Sequence, residues 1–325
     1  MPLERTPLPI DELPAGVAGF FAEGAPAGKV MMLARGMAPG VGPQDLVTGL
    51  YQATHHDNEK ISKSAEKSAA ELPDNILEGA LQAPLHPFVL DFYAQVCRGR
   101  PEHLERILLN RNSADETFER LARGLGQENL LEIIAKNEER LLRHPPIIEA
   151  LYLNQHTRMS TANRCVELAV RNNLQLDIPA YKEIARALGT ETRYEDPMDQ
   201  EFADMEADQA FNSAMAEGGE DGEPASAEEL EGEHEETEEE LKKRTSLIGL
   251  NITQKIRLCM IGSGYHRSLL FRDPNKLVAM AAIKSPRVKD NEVVGVCQSR
   301  SVNDDVIRHI ASNRDWTKLY QVKVG

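Results

Sequence analysis

The apolar positions of this chain recur at helical spacing in short bursts. In DETFERLARGL, Phe118, Leu121, Ala122 and Leu125 fall at i, i+3, i+4 and i+7, the stripe of a helix with one buried face. NLLEIIAKN and PPIIEALYLN repeat that period over shorter lengths. Strand-like alternation is scarce. LVAMAAI, residues 277–283, suits a buried strand or a buried turn of helix equally. The bursts end on asparagine, at Asn137, Asn154 and Asn313. After glycine, asparagine best tolerates the left-handed backbone that terminates helices. A fresh helix start follows each stop. Ser113 with Glu116 makes a capping box, and Pro145 and Pro146 suit a first turn. Ser285-Pro286 and Ser301 with Asp304 offer further starts.

Two stretches can be laid over one another. RNSADETFERLA, from Arg111, matches RSVNDDVIRHIA, from Arg300, with Asp115–Glu116 on Asp304–Asp305 and Phe118 on Ile307. IIAKN and HIASN share an Ile-Ala-x-Asn core. Turn signals at Pro274, Pro286, Ser301 and Asn313 make two helices a unit of about 25 residues. At these residues the chain resembles the HEAT-like and leucine-rich-variant repeat proteins of bacteria, in which apolar-Ala-x-Asn, a turn and a short amphipathic helix recur. Residues 46–81 look like another such unit, and the chain is also similar to helical-repeat proteins of myxobacteria and their relatives. The resemblance spans most of 30–190 and 247–325. It implies an all-α fold, an α-solenoid of short antiparallel helix pairs (HEAT-like repeats), in which each unit buries its apolar face against its neighbours. Some relatives hold an iron–sulfur cluster on clustered cysteines. Cys97, Cys165, Cys259 and Cys297 are widely spaced here, so no cofactor is expected.

Charge changes the picture of domain organisation. The net charge is −15. Residues 1–190 carry −5, residues 191–240 carry −20, and residues 241–325 carry +10. The acidic strip has no Val, no Ile and a single leucine, Leu230, too little apolar surface to offset chain entropy. The expected organisation is therefore an extended N-terminal segment over 1–29, a helical-repeat domain over 30–190, a disordered acidic linker over 191–246, and a basic helical-repeat module over 247–325. Within the linker, Phe202, Met205, Phe211 and Met215 fall at near-helical spacing, so a short helix is expected at 200–216. It would be a marginal helix or one that docks into a groove. The chain stops at KLYQVKVG, where a solenoid would carry a polar cap. An inward-tucked last helix and a truncation both remain open.

Candidate chemistry is sparse. GAPAGKV, from Gly24, has three residues between its glycines where a phosphate loop needs four, and Val30 stands where Ser or Thr would bind magnesium. Gly262 and Gly264 in IGSGYHR lack the third glycine of a dinucleotide fingerprint. His55, His56 and Asp57 form the one local cluster with metal-ligand chemistry. Adjacent histidines on a turn rarely face one site, so no metal is expected. No nucleophile, base and orienting acid are spaced to argue for hydrolysis, so no catalytic residue is expected. The N-terminus has proline and acid where a secretory signal needs a basic start and an apolar run, and no segment reaches membrane-spanning length. A cytoplasmic location without membrane contact is expected.

The function these features imply is a non-catalytic scaffold mediating protein–protein interaction, with a protein partner that the sequence does not identify. The candidate partner-binding groups lie in or near the inter-helix turns: Arg111, Asn112, Asn137, Arg140, Asn154, Arg300, Arg308, Asn313 and Arg314. The alternative is a nucleic-acid-binding protein that uses the basic C-terminal module, with the acidic linker screening it.

Overall fold

A computed structural model describes residues 3–190, 197–217, 246–299 and 302–324. Every regular element among them is an α-helix or a short 3-10 helix, so the fold is all-α. Residues 277–283 belong to the helix Lys276–Ile283, which is buried on nearly every side. The acidic stretches 191–196 and 218–245, expected to be disordered, lie outside the described residues, as does Arg300. No described helix is long and apolar enough to cross a membrane.

Asparagine does mark helix boundaries, but by a different mechanism from the one expected. Asn154 and Asn313 terminate their helices with φ of −81° and −85°, extended rather than left-handed backbone. Among the described non-glycine residues only Asn173 and Ala180 have positive φ. The side chains carry the turn. Asn154 Oδ1 accepts the His156 amide at 2.8 Å, and Asn313 Oδ1 accepts the Asp315 amide at 3.0 Å. Asn58, Asn275 and Asn303 use the same two-residue reach to cap the helix that follows. Such Asx turns satisfy amides that a helix start leaves open, and a short side-chain carbonyl suffices.

The described chain forms two compact units, Met1–Arg140 and Leu141–Gly325. The division falls inside the 30–190 stretch. In the first unit the helix Pro43–Thr54 is central, and its residues from Leu46 to Ala53 are all buried. Helices Ala15–Phe21 and Ala27–Ala34 close over it. A Cβ on Gly49 would stand 2.9 Å from Val17 and 3.0 Å from Leu33, so only glycine permits this approach. These two helices correct the expectation that 1–29 is extended: among its described residues only 3–9, 13–14 and 22–26 are free of helix. Pro14 and Pro26 sit at the N-caps, where a fixed φ favours a helix start.

Beyond these, helices alternate between two rows. Asp74–Leu81, Pro101–Leu109 and Glu128–Ala135 pack one on the next, and their starts are 27 residues apart. Glu59–Ala70, Pro87–Val96 and Asp115–Gly124 do the same with starts 28 residues apart. Side chains one period later satisfy carbonyls that helix ends leave open. Arg100 donates to the carbonyls of Ala70 at 2.7 Å and Leu72 at 3.0 Å. Asn110 donates to those of Leu81 and Ala83, and Arg140 to that of Ser113 at 2.7 Å.

In the second unit the helix Ile252–Ile261 is central, buried from Ile256 through Ile261. It packs on Pro146–Leu153, Tyr181–Leu188, Pro197–Glu217 and Lys276–Ile283. Residues before and after the acidic strip therefore share one core. The strip itself supplies the helix Pro197–Glu217, with Phe211 and Ala214 buried. Asp208 caps the next-door helix through the Ser160 amide and hydroxyl, both at 2.9 Å, and His266 donates through Nε2–H to the Ala214 carbonyl at 2.9 Å. Burial holds the His266 imidazole below its usual pKa, and its Nδ1 accepts the Ser263 amide at 3.1 Å, so the neutral ring fits both bonds.

Arg257 is the largest fully buried side chain of the described residues. Its guanidinium donates to the carbonyls of Tyr152 at 3.2 Å, Asn154 at 3.0 Å and Thr157 at 2.7 Å, and lies 5.2 Å from the Phe211 ring centre. Burial lowers its pKa to about 10, so it stays charged at neutral pH. Arg267 is buried too, in a two-pronged pair with Glu292 at 2.9 and 2.7 Å.

Candidate peptide groove

Residues 3–9, LERTPLP, have no regular structure of their own. Pro7 and Pro9 fix φ, remove two amide donors and disfavour helix at the residues before them. An extended chain of this kind keeps its backbone polar groups open, and the first unit meets them with side chains. The Leu8 amide donates to Gln52 Oε1 at 2.8 Å, and Gln52 Nε2 donates back to the Leu8 carbonyl at 3.0 Å. The amide thus pairs with the chain as a neighbouring strand would. The Tyr51 hydroxyl donates to the Thr6 carbonyl at 2.7 Å. Burial pushes the Tyr51 pKa up to about 12, against the opposing pull of Arg5, so this phenol stays a donor.

Two side chains of the segment enter the groove. Leu8 is buried, 4% exposed. Arg5 Nη2 donates to Gln95 Oε1 at 2.8 Å, its Nε stands 3.7 Å from Asp91 Oδ2, and its guanidinium lies 5.6 Å from the Phe92 ring centre. Asp91 is 2% exposed, and a carboxylate so buried needs partners. Its Oδ1 takes the Thr117 hydroxyl and the Arg120 guanidinium, both at 2.6 Å, which leaves Oδ2 towards Arg5. Burial lowers the Arg120 pKa, with Asp91 acting in the other direction. The helices Pro43–Thr54 and Pro87–Val96 supply every one of the groove groups from Tyr51 to Gln95.

The residues expected to bind a partner have varied fates. Arg111 and Asn112 lie exposed in one turn, although Asn112 Nδ2 donates to the Leu85 carbonyl at 3.1 Å. Asn137 is exposed and caps the following helix by accepting the Arg140 amide. Arg140 is buried against the Phe118 ring at 4.0 Å and bonds Ser113 and Asp115, so it holds the fold rather than a partner. Asn154 is buried and carries its Asx turn and the Arg257 bond. Arg308 is exposed and paired with Asp305 at 3.0 Å, Asn313 is half-buried in its own turn, and Arg314 is exposed. Arg111, Asn112, Asn137 and Arg140 belong to the first unit, and Asn154, Arg308, Asn313 and Arg314 to the second. None of them lines the groove around Arg5 and Leu8.

Several basic residues of 247–325 are buried or paired within the chain. Arg257 and Arg267 are buried, and Lys255, Lys276 and Lys284 pair with Asp273, Asp305 and Glu183 at 3.0, 2.6 and 2.7 Å. His55 Nδ1 lies 3.1 Å from the Tyr51 carbonyl, and His56 Nδ1 accepts the Asn58 amide. Among the described residues no three His, Cys, Asp or Glu side chains converge as metal ligands. A cleft of about 720 Å³ opens in the second unit between Met159–Arg171 and Pro197–Glu217, with Asn163, Glu167, Gln200 and Asp204 on its walls.

The groove residues Tyr51, Gln52, Asp91 and Gln95 were not visible as a set in the sequence. The one signal was a Pro-x-Pro frame around Leu8 beside a lone arginine. The chain matches no protein-family model, no curated protein and no solved structure.

Proposed function

We propose that the chain is a non-catalytic helical-repeat scaffold, an α-solenoid of short antiparallel helix pairs, whose first unit holds extended segments of protein partners. The observation that carries this reading is the two-way pairing of the Gln52 amide with the backbone of Leu8. It recognises an extended chain without reference to its side chains, as β-addition does at a sheet edge. The alternation of helices at 27- and 28-residue spacing supports the solenoid reading, because each helix buries its face on its counterpart one period away. Burial takes Arg257 and Arg267 away from any surface that a nucleic-acid reading would use, and Lys255 and Lys284 are held in ion pairs.

The test weakens the resident segment and supplies it from outside. The full chain carrying Arg5→Ala and Leu8→Ala is titrated into a fluorescein-labelled LERTPLPIDEL peptide, and anisotropy is followed. Saturable one-to-one binding is expected. The unaltered chain should bind about tenfold or more weakly, because its tethered segment competes at millimolar effective concentration. A weakened chain with unchanged circular dichroism that fails to bind the peptide contradicts the reading.

A further inference from the structure

Within the segment, Arg5 is half-buried and Leu8, three residues on, is buried; Leu3 is half-buried too, whereas Glu4, Thr6, Pro7 and Pro9 are exposed. A polyproline II helix has three residues per turn, so positions i and i+3 share a face. Pro9 has φ −56° and ψ 145°, within that conformation. The groove therefore reads two side chains one turn apart and only the backbone between them.

We propose that the groove selects extended, proline-rich segments carrying Arg-x-x-Leu, and that residues 3–9 are a resident occupant that a partner with this spacing must displace. The inference rests on the peptide-groove reading. Arg is specified by three features that converge on one guanidinium: the Asp91 Oδ2, the Gln95 amide oxygen and the Phe92 face. A planar guanidinium donates to Gln95, holds its charge beside the Asp91 carboxylate and lies by a ring at once, which a lysine ammonium does not. Leu is specified by its enclosure. The middle positions are free because their side chains face solvent, and proline is favoured there since it pre-organises the bound conformation. Arg5 Nη1 is buried without an acceptor, a cost that limits the hold of any arginine at this position.

The test uses the full Arg5→Ala/Leu8→Ala chain and a panel of LERTPLPIDEL peptides with single changes. Arg5→Ala in the peptide should weaken binding about tenfold or more, through loss of a charge-assisted hydrogen bond and its ring contact. Leu8→Ala in the peptide should cost about tenfold through lost apolar burial. Glu4→Ala should stay within about twofold, as expected for an exposed side chain. Adding Gln95→Ala to the chain, at an exposed position, should narrow the preference for Arg over Ala. Equal affinity for all peptides overturns the Arg-x-x-Leu rule but leaves the groove standing. Absence of binding by every peptide overturns both.

Discussion

Arg257→Ala should destabilise the second unit by about 3–5 kcal/mol, the range for truncating a large, buried, fully bonded side chain. The loss has three sources. The carbonyls of Tyr152, Asn154 and Thr157, which close the end of Pro146–Leu153 and the turn into Met159–Arg171, lose their shared donor. A cavity opens where the side chain was fully buried. The Phe211 ring loses the guanidinium beside it, and with it part of the anchor of Pro197–Glu217. Arg257→Lys keeps the charge but has a single nitrogen where the guanidinium uses Nε for Tyr152 and Nη2 for Asn154 and Thr157, so it should still cost about 2–3 kcal/mol. Urea denaturation followed by far-ultraviolet circular dichroism measures both. A midpoint unchanged in the alanine variant would contradict the burial described for Arg257.

Glu292→Ala should cost the same unit a similar amount, about 3–5 kcal/mol, because it strands the Arg267 charge in the interior. The two side chains are 3% and 1% exposed, and solvent cannot replace the lost carboxylate. Changing both residues to methionine should bring stability back to within about 1–2 kcal/mol of the starting chain, since a buried ion pair gains little over apolar residues of like volume. The second substitution would thus rescue the first. Losses from Glu292→Ala and Arg267→Ala that simply add would show that the pair is not coupled.

Much of the helical layout was legible from the apolar period alone. Phe118, Leu121, Ala122 and Leu125 are all buried as their spacing required, and the asparagines fall between helices. The mechanism of those boundaries was not legible, because Asx turns and left-handed caps both favour asparagine and differ only in backbone angle. The helix Pro197–Glu217 was visible in its aromatic and methionine spacing, although its composition reads as linker. Phe211 faces the core whereas Phe202 and Met205 are both 61% exposed, a distinction that spacing cannot make without knowing what the helix packs on.

The burial of Arg257 was not legible, for a physical reason. Ile252–Ile261 is enclosed on nearly all sides, so Arg257 has no polar face to sit on, and its partners are carbonyls, which every residue carries. Partners of that sort leave no mark in side-chain patterning. The groove was hidden by the same cause. Gln52 and Tyr51 bind backbone atoms of residues more than 40 positions away, and Asp91 meets Arg5 only once two helices lie side by side. Contacts between positions 44 to 90 residues apart emerge when the helices are packed, not when they are read in order.

The most direct test of the central claim is the hydrogen exchange of one amide. In the unaltered chain the Leu8 amide, bonded to Gln52 Oε1, should be protected well beyond the rate of an unstructured peptide. Gln52→Ala should abolish that protection while amides inside Pro43–Thr54 keep theirs, and excess LERTPLPIDEL peptide should speed Leu8 exchange by displacement. A Leu8 amide that exchanges at the unstructured rate in the unaltered chain, or one indifferent to Gln52→Ala, would contradict the account.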